Sequence, residues 1–110
     1  MGTITVRLTA LQINEIAHKL LIVADDTDLR ESYELSEGEA RTVAEHFRDA
    51  KPGEVSFDER YRAVVEGELE DRMRALHANW IDCCDEEEGA TYRSLHRALK
   101  NVKDAPAMPA

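Results

Sequence analysis

The sequence is poor in several things at once, and each shortage removes a class of protein. Aromatic residues fill 5% of the 110 positions, which argues against a stacking platform for single-stranded nucleic acid. No apolar run approaches the roughly 18 residues of a membrane span, so no membrane association is expected. The opening residues lack the charged stretch followed by an apolar one that marks a secretory signal, and a cytoplasmic location is the expectation. The only cysteines are Cys83 and Cys84, side by side. Vicinal cysteines bridge with strain, and a secreted disulfide scaffold spaces its cysteines apart. With His77 nearby they still lack the ligand number and spacing of a structural zinc site. One is expected to pack as a small apolar residue and the other to face outward.

Motifs that carry chemistry are missing too. The 5 glycines stand singly, so there is no Gly-rich phosphate loop. Neither G-x-S-x-G nor H-E-x-x-H occurs. Asp26-x-Asp28 opens like a calcium loop with Glu37 at its far end, but Glu31 stands where such a loop needs glycine. His18, His46, His77 and His96 lie on four separate segments among charged neighbours, and all are expected in solvent. The 23 acidic residues offer many carboxylate pairs, and nothing singles one out. Neither enzymatic activity nor a metal or cofactor is expected.

What is present is charge and helical periodicity. Lys and Arg number 14 against 23 Asp and Glu, a formal charge of −9 with a pI near 4.8. The length suits a single core, and 43% hydrophobic residues argue for a folded one. The expected fold is mainly α, about four helices in a compact bundle with one short N-terminal β-strand. It forms one acidic helical domain over residues 1–104, followed by a disordered tail over 105–110.

Residues 3–8 alternate: Ile4, Val6 and Leu8 point one way, Thr3, Thr5 and Arg7 the other, as in a half-buried strand. That strand is expected to pair across a dimer or with a loop near Glu54. Thr9 and Gln12 then form a T-x-x-Q capping box, and Ile13, Ile16, Ala17, Leu20 and Ala24 line one helical face. Leu21, Ile22 and Val23 make that helix's end apolar nearly all round, which implies burial on more than one side. After an acidic connection over 25–34, Ser36 and Glu39 repeat the capping logic ahead of Ala40, Val43, Ala44 and Phe47. The two openings match position by position at one constant offset, as capped amphipathic helices do. Lys51-Pro52-Gly53 stops the second helix.

A third helix is expected to open at Ser56, with Glu59 completing another box, and to run to about Asp85. Gly67 marks a kink or a close approach by another element. The acidic stretch 85–89 reads as a stop, and a last helix spans about 91–103, its outer face holding Arg93, His96, Arg97, Lys100 and Lys103. The expected core is Ile13, Ile16, Leu20, Val43, Phe47, Tyr61, Val64, Leu69, Leu76, Trp80, Leu95 and Leu99.

The charge is uneven. Residues 1–90 hold 10 basic and 22 acidic residues; residues 91–110 hold 4 and 1. The acids gather at 25–39, 66–71 and 82–88. Such faces keep a small protein soluble, and they also suit a basic partner, because carboxylates can imitate a phosphate backbone. The basic last helix is expected to neutralise one of these patches within the fold.

Thr3–Leu20 resembles the opening of ribbon-helix-helix DNA-binding proteins, a family that includes many antitoxins. The resemblance implies that Thr3, Thr5 and Arg7 read DNA while Ile4, Val6 and Leu8 form a dimer core. The chain departs from that family in its acidic connection, in the absence of basic residues flanking the strand, and in its net charge, which opposes phosphate binding.

The function expected first is therefore a small acidic interaction module. It would be an inhibitor or adaptor docking on a basic protein, such as a nucleic-acid-handling enzyme or complex, without binding nucleic acid directly. Size, acidity and lack of motifs are shared with phage-encoded inhibitors of bacterial defence, including anti-CRISPR proteins and DNA mimics. The contact residues would come from Asp25, Asp26, Asp28, Glu66, Glu70, Asp82, Asp85, Glu86 and Glu87. The alternatives are a ribbon-helix-helix-like DNA-binding regulator, and an assembly subunit that homodimerises through its long helix and the Leu20–Val23 segment.

Overall fold

The computed structural model describes residues 2–83 and 86–109, with the backbone alone for 80–83. In chain order the elements are β1 (Gly2–Leu8), α1 (Ala10–Asp25), α2 (Thr27–Ser32) and α3 (Glu37–Arg48). Then come β2 (Gly53–Asp58), a single 3-10 turn (Glu59–Tyr61), α4 (Arg62–Cys83), α5 (Glu86–Asp104) and β3 (Met108–Pro109). The fold is mainly α, with a small antiparallel sheet of order β2-β1-β3.

β1 forms as its alternation predicts: Ile4, Val6 and Leu8 are buried, Thr5 and Arg7 exposed. Its partner corrects one expectation. Residues 53–58 are a strand, not the start of a helix, and Ser56 caps nothing. Val55 and Phe57 are buried opposite Val6 and Ile4, while Glu54 and Ser56 face out. Their period of two matches β1, and burial against it outweighs a possible capping box. Asp58 then accepts a hydrogen bond from Arg60 N at 3.0 Å, capping the 3-10 turn that leads into α4. The pairing near Glu54 holds within the chain, with Arg7 opposite Glu54.

The first two predicted capping boxes are present. Thr9 Oγ1 accepts from Gln12 N at 3.2 Å and Gln12 Oε1 from Thr9 N at 2.9 Å; Ser36 and Glu39 do the same at 3.1 and 3.2 Å. Gln12 also reaches beyond its own helix, its side-chain amide donating to the Ser94 carbonyl of α5 at 2.8 Å. The acidic connection after α1 is not wholly irregular: Asp26 accepts from Leu29 N at 3.1 Å and starts α2.

α4 passes through Gly67 without interruption. A methyl group at this position would collide with the Tyr33 hydroxyl, so the glycine serves close approach and not a kink. The expected stop at 85–89 is also corrected. Glu86, Glu87 and Glu88 form the first turn of α5, where carboxylates meet the positive end of the helix dipole. At its other end Arg62 acts as a side-chain cap, donating to the carbonyls of Val102, Lys103 and Ala105 at 2.8, 3.1 and 2.7 Å. In the tail, Ala105 is buried and Met108 pairs with Thr3.

Every expected core residue whose side chain is described is buried; the side chains of Trp80, Cys83 and Cys84 lie outside the described residues. The sheet adds Ile4, Val6, Leu8, Val55 and Phe57 to the same cluster.

Candidate partner-binding surface

The three acidic patches have three different fates. Around α2 the carboxylates stay outside. Asp25, Asp26 and Asp28 are exposed, as are Glu31 and Glu34, and α2 itself contains no buried residue. Asp25 Oδ1 accepts from Arg41 Nη2 at 2.9 Å, and Asp26 is spent on its cap. Asp28, Glu31 and Glu34 have no ion-pair partner among the described residues. The lobe is anchored by the partly buried Leu29, Tyr33 and Leu35, which pack on the core. Glu34 holds a left-handed backbone, φ 58°, where the chain turns from α2 into α3.

The 66–71 patch is largely a seam between helices. Glu68 is only 4% exposed. It accepts from the Tyr33 hydroxyl at 2.9 Å and faces Lys19 Nζ at 3.6 Å. Lys19 in turn donates to Asp71 Oδ2 at 2.6 Å, which holds the Asp71 carboxyl below its usual range. Burial, followed by the bond to Glu68, pushes the Tyr33 phenol well above its usual value. Glu70, an expected contact residue, pairs with Lys103 of α5 at 3.0 Å, and this bond raises the Lys103 ammonium. The last helix thus answers one carboxylate of this patch, Glu70, while Lys19 of α1 answers Glu68 and Asp71. Glu66, half-buried on the same helix, adds to the field on Lys103. Glu66 and Glu70 therefore lie beside the α4–α5 boundary, both half-buried.

In the third patch, the side chains of Asp82 and Asp85 lie outside the described residues. Glu86 and Glu87 are exposed in the first turn of α5. Among the expected contact residues that are described, Asp25, Asp26 and Asp28 fall together in one exposed acidic lobe, joined by Glu31 and Glu34.

Two further features were not singled out from the sequence. A cleft of about 690 Å³ runs between α1 and α4, with Leu11, His18 and Ile22 on one side and Ala75 on the other. Its charges cross-link the helices: Glu15 with Arg72 at 2.8 Å, Lys19 with Asp71. The other feature is the network of Tyr33, Glu68 and Lys19; Gly67 was its only legible trace. On α5, Arg93, His96, Arg97 and Lys100 are exposed, and the Tyr92 and His96 rings stack at 6.5 Å. No cluster of three or more His, Cys, Asp or Glu suited to a metal occurs among the described residues.

The ribbon-helix-helix resemblance meets a different strand pairing. β2 takes one edge of β1 within the chain, and β3 takes the other at Gly2 and Thr3. Ile4, Val6 and Leu8 lie in the chain's own core. The outward row is tied to β2, with Thr5 Oγ1 2.8 Å from Ser56 Oγ and Arg7 3.9 Å from Glu54. No helix among the described residues is long and apolar enough to cross a membrane. No family model, curated protein or solved structure matches the chain.

Proposed function

We propose that this chain is a non-enzymatic interaction protein whose acidic lobe around α2 docks on a basic, nucleic-acid-handling protein of the cytoplasm and occupies a surface made for phosphates. The observation that carries the reading is a helix with no buried residue, held in place by its cap and by Tyr33, which displays Asp28 and Glu31 without ion-pair partners among the described residues. Fixed carboxylates on a preorganised turn steer a basic partner from a distance and lose less entropy on contact than a loose loop. A small acidic inhibitor of a bacterial defence complex, of the anti-CRISPR or DNA-mimic kind, is the form this proposal takes. The outward row of β1 offers less to DNA, since Glu54 sets a carboxylate beside Arg7.

The test compares the wild-type chain with a Asp28→Asn, Glu31→Gln, Glu34→Gln variant as baits in nuclease-treated bacterial lysate. The reading expects a basic nucleic-acid-binding protein held by the wild type at low salt, shed at high salt, and lost from the variant at both. Equal capture by the variant, or capture that needs nucleic acid, overturns it.

A further inference from the structure

The outward face of α1, beside the cleft with α4, is only partly covered by the fold. Its buried apolar residues (Ile13, Ile16, Ala17, Leu20, Val23 and Ala24) point into the core. Leu11, Glu15, His18 and Ile22 fall on the opposite side, spaced four, three and four residues apart, which on a helix is a single stripe. Leu11 and Ile22 remain 43% and 41% exposed, and with Met108 they are the large hydrophobic side chains left outside among the described residues. Ile22 belongs to the segment whose composition called for burial on more than one side, and within this chain that burial is missing.

The order of the stripe narrows what can cover it. Read from either end it runs apolar, polar, polar, apolar. A second α1 laid antiparallel, with a two-fold axis midway between Glu15 and His18, meets every position with a suitable partner. Leu11 lies against Ile22, and the carboxylate of Glu15 lies where the His18 ring can donate to it. Two-fold contacts are self-complementary in this way: what residue i does to j, j does to i. Arg72 Nε bonds Oε2 of Glu15, which leaves the other carboxylate oxygen for the second copy.

Charge points to the same occupant. Two copies of a chain with a formal charge of −9 repel each other at long range. They can meet only where the field is weak. The cleft beside this stripe is such a place, because Arg72 answers Glu15 and Lys19 answers Asp71. We propose that the α1 stripe is the contact surface for a second copy of this chain, arranged antiparallel about a two-fold axis. This is separate from the α2 lobe, and a dimer formed here would carry two such lobes. The 16 residues of α1 give a seam about 24 Å long and one helix wide, a narrower contact than the roughly 800 Å² per partner of a standard interface, so the dimer is a weak and reversible one.

Sedimentation equilibrium of the full chain from micromolar to about 1 mM tests this. A monomer–dimer equilibrium that survives high salt is expected, since apolar contacts are not screened. Leu11→Lys and Ile22→Glu, both at exposed positions, should each weaken self-association by roughly tenfold or more. Mixing the two variants should restore it, because the new charges then face each other at one end while the unaltered Ile22 and Leu11 meet at the other. Circular dichroism confirms that each variant is folded. A chain that stays monomeric throughout the range, a dimer indifferent to both substitutions, or a mixture that fails to associate each overturns the proposal. None of these outcomes bears on the α2 lobe, whose test reads capture of a different molecule.

Discussion

Helix α1 packs on α3 through apolar side chains and on α4 through a row of charges, and the two seams differ in what they demand of the sequence. Toward α3, small and branched residues on both helices lie fully inside: Ala17, Leu20, Val23 and Ala24 on one, Ala40, Val43, Ala44 and Phe47 on the other. The ion pair between these helices is Arg41 with Asp25, at the exposed end of α1. Toward α4, Glu15–Arg72, Lys19–Asp71 and Lys19–Glu68 span the gap, with the Tyr33 hydroxyl closing the network. A dry seam gains from every methylene it buries, in any order that fills space. A charged seam gains little unless each buried group meets its partner, so it selects a register more than it adds stability.

The sharpest way to break this comparison is to damage the dry side. Phe47 is wholly buried, its ring centroid 5.3 Å from that of Phe57. Phe47→Ala should cost about 3–5 kcal/mol, which a lower urea midpoint at unchanged m-value would report. A domain of this size has little more than that to lose, so the variant should sit near the edge of unfolding at 37 °C. A loss below about 1 kcal/mol would mean that the seam collapses around the cavity and is not close-packed.

The charged side is probed by the glycine that makes room for it. Gly67→Ala would gain up to about 1 kcal/mol of helix propensity in the middle of α4. Against that stands the Tyr33 phenol, whose Cζ lies 3.0 Å from where the methyl carbon would be and whose hydroxyl is nearer still. Glu68 fixes that hydroxyl, so the ring cannot simply swing away. Overpacking of this kind costs about 1–3 kcal/mol, and a net loss near 1 kcal/mol is expected in thermal unfolding. With Tyr33→Phe already in place, the loss should shrink toward zero. Stabilisation by Gly67→Ala in the unmodified chain would show that Tyr33 is not held against α4.

The same contrast explains what could be read in advance. The dry seam, the capping boxes of α1 and α3 and the inward row of β1 were legible because period and caps are local: Thr9 finds Gln12 three residues on, and Ile13, Ile16 and Leu20 share a face whatever lies opposite. β2 was missed because Ser56-x-x-Glu59 has the spelling of a helix start, and only β1, far away in the chain, makes a strand of Val55 and Phe57 the better outcome. Among the acidic residues, Glu68 and the candidate contact Glu70 were indistinguishable from Asp28 as acidic letters. Lys19 and Tyr33 take Glu68 out of solvent and Lys103 pairs with Glu70 at the surface, and these partners come from α1, the end of α2 and α5. The α1 stripe had a visible period, yet which side of the helix the fold would leave bare is a tertiary fact.

The smallest expected effect sharpens the comparison from the alkaline side. Burial and the bond to Glu68 hold the Tyr33 phenol above its usual value in the folded chain, and unfolding releases it to titrate near pH 10. A folded-state value above the unfolded one means that its stabilisation is complete below pH 10 and drains away as the pH rises past it. Tyr33 is half-exposed, so solvent screening keeps the effect under about 1 kcal/mol at pH 11. Urea midpoints taken between pH 9 and about 11 should fall more steeply for the wild type than for Tyr33→Phe, with the curves converging as the phenol ionises. Lysines titrate over the same range in both proteins and cancel in the difference. Parallel curves would mean that Tyr33 meets water as freely in the fold as out of it. Glu68 would then be held by Lys19 alone, and the α4 seam would lose the one neutral donor that distinguishes it from an ordinary surface ion pair.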